Sequence, residues 1–240
     1  MIKWIAAFLG YSFFRFPGAL LGFVLGGVVE RFFNSSGSWS QVGTQGATPA
    51  VFQLNLLALA ATVIKADGTV KQQELQFVRN FFISNYGQQN ANSIFEKFNE
   101  EVKKEKQNII VLTQIFTQRA SYETRLQILH FLFGVANADG SISPTELSKV
   151  EQIAAALGIR PSDRDSIKAM FIKASGSAFK ILEIDATATD EEVKKAYRTM
   201  AKKYHPDKLQ SKDPALVKGA QEKFQKVQEA YETIQKERGL

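Results

Sequence analysis
Two stretches of eleven residues repeat one another at an offset of 72: Lys65-Ala66-Asp67-Gly68-Thr69-Val70-Lys71-Gln72-Gln73-Glu74-Leu75 and Asn137-Ala138-Asp139-Gly140-Ser141-Ile142-Ser143-Pro144-Thr145-Glu146-Leu147. The shared pattern is A-D-G-[ST]-[VI]-x-x-x-E-L, and a repeat of this length implies two copies of one structural unit. Each copy follows an apolar run, 54–64 or 126–136, and feeds another, 75–83 or 147–157. Apolar residues at helical spacing on both sides of a glycine predict helix, turn, helix, twice over. Gly68 and Gly140 supply the positive φ where the first helix ends. Thr69 or Lys71, and Ser141 or Ser143, then start the second helix, with Pro144 suited to its first turn. Glu74 and Glu146 fall near that helix's N-terminus, where free amides and the dipole favour a carboxylate.

The same residues resemble the second half of a calcium loop, which runs Asp-Gly-x-[Ile/Val]-x-x-x-Glu. Counting back puts Val63 or Val135 at the first ligand position and Lys65 or Asn137 at the third. Valine and lysine lack the oxygens such a site needs, so turn and cap chemistry is the expected role and no metal or other cofactor is assigned. The remaining cation candidates are Asp67, Glu74, Asp139 and Glu146, should they converge across the two copies. Between the copies, 91–106 reads as a charged, solvated helix and 109–116 as a more buried one. His130, within Leu129-His130-Phe131-Leu132-Phe133, is expected as a packed core residue.

Ahead of the duplication, residues 5–29 are apolar apart from Ser12 and Arg15. Such a helix would reach about 37 Å at about 1.5 Å per residue, enough to cross a bilayer. Residues 1–33 are therefore expected to be a transmembrane segment. Gly18, Gly22 and Gly26 recur on one face of it, a strip through which two copies of the helix could associate as a homodimer. Residues 34–49 contain no charged side chain and are rich in Gly, Ser and Thr, as a flexible tether is.

The net charge of +6 suggests nucleic acid or anionic lipid until it is divided along the chain. Residues 1–49 carry three basic and one acidic side chain, 50–177 carry 14 and 12, and 178–240 carry 13 and 11. Each part is nearly balanced, and the chain lacks a base-reading motif, so nucleic acid is not an expected partner. Absence of cysteine excludes a disulfide framework and thiolate metal sites.

From Ser175-Gly176-Ser177 onward the pattern changes. Residues 178–183 form a short helix, and Thr189-Asp190-Glu191-Glu192 is a capping box that starts a longer one. Val193, Ala196, Tyr197, Met200, Ala201 and Tyr204 make its apolar stripe, while Lys194, Lys195, Arg198, Lys202 and Lys203 make a basic face. Tyr204-His205-Pro206-Asp207-Lys208 interrupts the helix, and Phe224, Val227, Ala230, Tyr231 and Ile234 mark a second one. The expectation is an antiparallel helical hairpin with His205-Pro206-Asp207 at its tip.

Two resemblances follow. The duplicated A-D-G pattern resembles the TerB-like family, an all-α bundle, over about half of the chain. Phe179-x-x-Leu182, Glu192-Val193-Lys194-Lys195-Ala196-Tyr197-Arg198, Tyr204-His205-Pro206-Asp207-Lys208 and Lys223-Phe224-Gln225-Lys226-Val227-Gln228-Glu229-Ala230-Tyr231-Glu232 together resemble the J-domain signature. Phe179 stands where that family usually has tyrosine, and Glu183 where it usually has glycine. The order of segments is similar to that of membrane-anchored DnaJ-like proteins of the DjlA type.

The resemblance implies an all-α chain: a transmembrane segment (1–33), a linker (34–49), a TerB-like domain (50–175) and a J-domain (176–240). It implies a co-chaperone rather than an enzyme, which docks on a DnaK-type heat-shock chaperone and stimulates its ATP hydrolysis. His205, Pro206 and Asp207 would engage that partner, with Lys194, Lys195, Arg198, Lys202 and Lys203 steering it. The zinc-binding and substrate-binding regions of larger J-proteins are not seen before Leu240, so client choice is expected in 50–175 or in location. The implied location is the bacterial inner membrane, single-pass, with the soluble domains in the cytoplasm where such chaperones and ATP are found. The alternative is a membrane stress or metal-responsive scaffold that uses the J-domain only for recruitment.

Overall fold
The computed structural model describes residues 49–102, 108–172, 176–205 and 213–239. Among these residues the secondary structure is entirely helical, in the order α1 (Pro49–Ile64), α2 (Gln72–Tyr86), α3 (Gln88–Val102), α4 (Ile109–Arg119), α5 (Tyr122–Ala136), α6 (Pro144–Ala156), α7 (Pro161–Phe171), α8 (Ser177–Ile181), α9 (Asp190–Lys203) and α10 (Pro214–Arg238). No helix among the described residues is long and apolar enough to cross a membrane. The expected transmembrane segment at 1–33, its Gly18, Gly22 and Gly26 strip and the tether lie outside the described residues, save that α1 already begins at Pro49.

The duplication folds as its pattern predicts. Gly68 and Gly140 take φ of 79° and 90°, in the left-handed region that glycine enters without a Cβ penalty. The aspartate before each glycine folds the turn. Thr69 N donates to Asp67 Oδ1 at 2.8 Å, and Ser141 N to Asp139 Oδ1 at 2.9 Å. The N-caps are Lys71 and Ser143, and only the second carries a capping box, with Ser143 Oγ accepting from Glu146 N and Glu146 Oε2 accepting from Ser143 N. A lysine side chain has no oxygen with which to cap, so the first copy starts its second helix without that bond.

The first helices of the two copies, α1 and α5, pack together at the centre, and α2 and α6 flank them. Burial along α5 is nearly continuous from Leu126 to Ala136 and includes His130. A helix buried on all sides, with few polar residues, is an interior one. Helix α4 covers α1 and α6, and Phe52 meets Phe116 edge to face at 5.0 Å. Helix α7 falls in a stretch without a long apolar run, yet Pro161 at its start and Asp163 in its first turn are both helix-starting residues. It lies against α5 and holds α8.

The C-terminal hairpin does not hang free of this bundle. Helix α10 packs against α5 and α2 as well as against α8 and α9. Ser166 Oγ of α7 donates to Ile181 O of α8 at 2.8 Å, and Tyr86 Oη of α2 donates to both carboxylate oxygens of Asp213, the cap of α10, at 2.9 and 3.0 Å.

Candidate functional site
Helix α9 starts as a sharp, locally specified element. Thr189 Oγ1 accepts from Glu192 N at 3.3 Å, and Glu192 Oε2 accepts from Thr189 N at 2.7 Å. The Thr189 N–H and then its hydroxyl, both donating to Glu192 Oε2, hold the Glu192 carboxyl below its ordinary range. Its apolar stripe buries Val193 and Met200, and Tyr197 stacks on Tyr231 of α10 at 4.3 Å with the rings 13° apart. At the far end Arg238 Nη1 donates to Asp190 Oδ1 at 2.8 Å, tying the hairpin's open end.

Opposite the stripe, Lys194, Lys195, Arg198 and Lys202 are all exposed. They form a basic ridge that leads to Tyr204, which is buried, and then to His205, which is exposed. The His205 ring meets Phe224 of α10 edge to face, 5.6 Å between centroids and 80° between planes. This contact sets the direction of the ring at the hairpin's tip. Pro206 and Asp207, the other two members of the expected tip, lie outside the described residues.

Lys203, the fifth basic residue expected on that face, is placed differently. Its side chain is only 17 % exposed, and its ammonium pairs with Asp163 of α7 and with Glu183, the latter at 2.6 Å. Asp163 is fully buried and also accepts from Tyr122 Oη at 2.5 Å and Arg160 Nε at 2.8 Å. Burial pushes its pKa up, but the hydrogen bonds from Lys203 and Tyr122, with Arg160, outweigh that and hold it below the ordinary carboxylate range. A buried carboxylate with several charge-assisted donors is a strong local anchor.

Glu183 completes the anchor at a backbone expense. It has φ of 58°, the one positive φ outside glycine among the described residues. That backbone state accounts for the glycine usual at this position in the J-domain pattern, since a Cβ costs about 1–2 kcal/mol there. The Glu183 carboxylate, paired with Lys203, offsets part of that strain and touches the last turn of the basic helix.

Three of the four cation candidates do converge across the duplication. Glu74 and Glu146 are both fully buried, and Lys71 Nζ lies 3.6 Å from each carboxylate and 2.8 Å from Asp139 Oδ2. The ammonium sits at the centre of the acidic group. The Asp139 hydrogen bond is the main reason its pKa rises, and the same bond lowers that of Asp139. Glu74 is pushed up to about 7, first by burial and then by Glu146 beside it. Asp67 stays in its own turn. Among the described residues no group of three or more His, Cys, Asp or Glu side chains is arranged to hold a metal ion.

The seam between bundle and hairpin was not visible in sequence patterns. Tyr86, Tyr122, Asp163 and Asp213 come from separate helices, and none stands in a motif. The one available signal was the start of α7, where proline at the first position and aspartate two residues later mark a helix that periodicity does not.

Residues 53–169 match the family described as tellurite resistance protein TerB, and residues 177–239 match the DnaJ domain. The chain is 27 % identical over 250 residues to "Co-chaperone protein DjlA" of Vibrio vulnificus, covering 87 % of this chain and 85 % of the relative. It is 26 % identical over 283 residues to the protein of the same name in Vibrio cholerae, covering 99 % and 98 %. The "Chaperone protein DnaJ" of Thermoplasma acidophilum is 50 % identical over 56 residues, covering 23 % of this chain and 14 % of the relative. No solved structure matches the chain. The chain thus carries a TerB match followed by a DnaJ-domain match, in the DjlA order, and is similar along most of its length to relatives named "Co-chaperone protein DjlA".

Proposed function
We propose that this protein is a membrane-anchored co-chaperone that recruits a DnaK-type chaperone and stimulates its ATP hydrolysis through His205, Pro206 and Asp207. The observation that carries this reading is the exposed ridge of Lys194, Lys195, Arg198 and Lys202 running into an exposed His205 whose ring is set by Phe224. The ridge steers an acidic surface of the partner, an effect screened by salt. His205 then contacts the partner, Pro206 sets the turn, and Asp207 presents a carboxylate to a cation or amide of the partner's ATPase domain. Hydrolysis takes place in the partner, and this chain contributes no reacting group.

The anchor in this reading is the apolar segment 1–33, with 34–49 as tether, 50–175 as the TerB-like unit and 176–240 as the J unit. The soluble part lies in the cytoplasm, on the side where the chaperone and ATP are found. Self-association of the anchor uses Gly18, Gly22 and Gly26, and Gly22→Leu weakens a membrane dimerisation reporter. Protease added to spheroplasts spares the J unit; cleavage from outside would reverse the orientation.

The direct test is single-turnover ATP hydrolysis by a DnaK-type protein with and without this chain. Stimulation is expected from the wild type and is expected to vanish in His205→Gln. Equal stimulation by that variant would defeat the assignment.

A further inference from the structure
Lys203 follows Lys202 directly and precedes His205 by two positions, yet its side chain is turned into the bundle while Lys194, Lys195, Arg198 and Lys202 stay exposed. Asp163 of α7 takes its ammonium. Asp163 does not depend on that lysine alone, because Tyr122 Oη and Arg160 Nε also donate to it. The buried carboxylate therefore stays paired if Lys203 leaves. Glu183, the second partner of Lys203, lies between α8 and α9 and travels with the hairpin.

The seam that holds Lys203 is fastened by a few bonds and carries unpaired groups between them. The other fasteners are Tyr86 on Asp213 and Ser166 on Ile181 O. Between them, Lys223 of α10 is fully buried and its Nζ has no hydrogen-bond partner. This nitrogen lies 4.8 Å from the centroid of the Tyr204 ring of the hairpin, and it also acts on His130 of α5. Burial, then the nearby Lys203, push its pKa well down, and Asp163 opposes them. Gln127 of α5 is buried as well, and its Oε1, against Gly219 of α10, is equally without a partner. A polar group buried without a partner opposes the packing that buries it. Opening the seam would return both groups to water.

We propose that docking of the hairpin on the bundle withholds Lys203 from the chaperone, with the Asp163 carboxylate in the place of an acidic group of that partner, and that release of the hairpin adds Lys203 to the ridge. This rests on the co-chaperone reading and gives it a regulation. The docked chain is the weaker binder and the released chain the stronger. An acidic surface drawn by the four exposed cations competes with Asp163 for the fifth. Because it favours the released state, it shifts the population toward that state.

The test is single-turnover ATP hydrolysis by a DnaK-type protein, titrated with the full chain. Asp163→Asn is expected to lower the half-maximal concentration about five-fold, the scale of one exposed ion pair, and to steepen the fall of stimulation with salt. Tyr86→Phe shifts it the same way by less. Adding Lys203→Met to Asp163→Asn abolishes the gain. The chain has no cysteine, so Ser84→Cys on α2 and Lys218→Cys on α10, exposed residues that line one crevice, can be joined by a bismaleimide with a disulfide in its span. The bridge is expected to raise the half-maximal concentration of the otherwise unchanged chain and to cancel the gain of Asp163→Asn, and reductant, which cuts it, reverses both. Circular dichroism identifies which variants are folded. Where the wild type stimulates, a bridge without effect, folded Asp163→Asn and Tyr86→Phe chains no better than wild type, or a gain that survives Lys203→Met overturns the masking alone. No stimulation by the wild type overturns the co-chaperone reading and the masking with it.

Discussion
Tyr86 and Asp213 are 127 residues apart in the chain, and the Tyr86 hydroxyl donates to both oxygens of the Asp213 carboxylate. Asp213 in turn accepts from Ala215 N at 3.0 Å and so caps α10. One hydrogen-bonded pair thus joins the duplicated bundle to the start of the hairpin's second helix.

Tyr86→Phe removes the donor and leaves the cap carboxylate partly buried beside a ring. The expected loss is about 1–2 kcal/mol, read from urea unfolding, together with faster amide exchange in the first turn of α10. Unchanged exchange there would mean that the seam is not fastened at this point.

Lys202 and Lys203 are neighbours with opposite expectations. Lys202 is exposed, so Lys202→Met is expected to change stability by less than about 0.5 kcal/mol and to weaken stimulation of the chaperone most at low salt. Lys203 pairs with a fully buried Asp163, so Lys203→Met is expected to cost on the order of 2 kcal/mol, with Arg160 and Tyr122 limiting the loss. Equal thermal midpoints for the two variants would contradict this division.

Glu74 holds its proton more tightly in the folded chain, with its pKa moved from the ordinary 4.5 to about 7. A raised carboxyl contributes stability that is complete below the unfolded pKa and is lost as pH rises through the folded one. Glu74→Gln cannot ionise, so the variant is expected to gain on the wild type as pH rises from about 4.5 to about 8. Urea midpoints across that window test it, and parallel profiles would place Glu74 at its ordinary pKa.

Gly68 and Gly140 have nothing within 4 Å of where a Cβ would stand, so substitution there meets only the backbone. Gly140→Ala is expected to cost about 1–2 kcal/mol, and Gly140→Asn less, because asparagine tolerates the left-handed region. Equal losses in thermal denaturation would point to a packing cause instead.

Much of the architecture was readable from local pattern. The two glycine turns, the Ser143 and Thr189 caps, the apolar stripe of α9 and the exposure of Lys194, Lys195, Arg198 and Lys202 depend on residues within a few positions of each other. Helix α4 runs past the apolar stretch 109–116 to Arg119, and 161–171 is helical without a periodic apolar signal. Helix α7 has a start signal but no long apolar run, because what it buries is Asp163, Ser166 and Ile167 against its neighbours.

The order of the chain by itself determined a duplicated all-helical unit followed by a basic helix that leads to His205, since propensity, capping and periodicity act over one or two turns. Tertiary structure alone decided that Lys203 turns inward to Asp163, that Glu74 and Glu146 meet around Lys71, that Glu183 carries a positive φ beside the basic helix, and that α10 packs across α2 and α5. Each of these joins residues far apart in the chain, and burial is what gives them their force. In water those charges and amides would be screened or hydrated, whereas inside the bundle each must find a partner or remain unpaired.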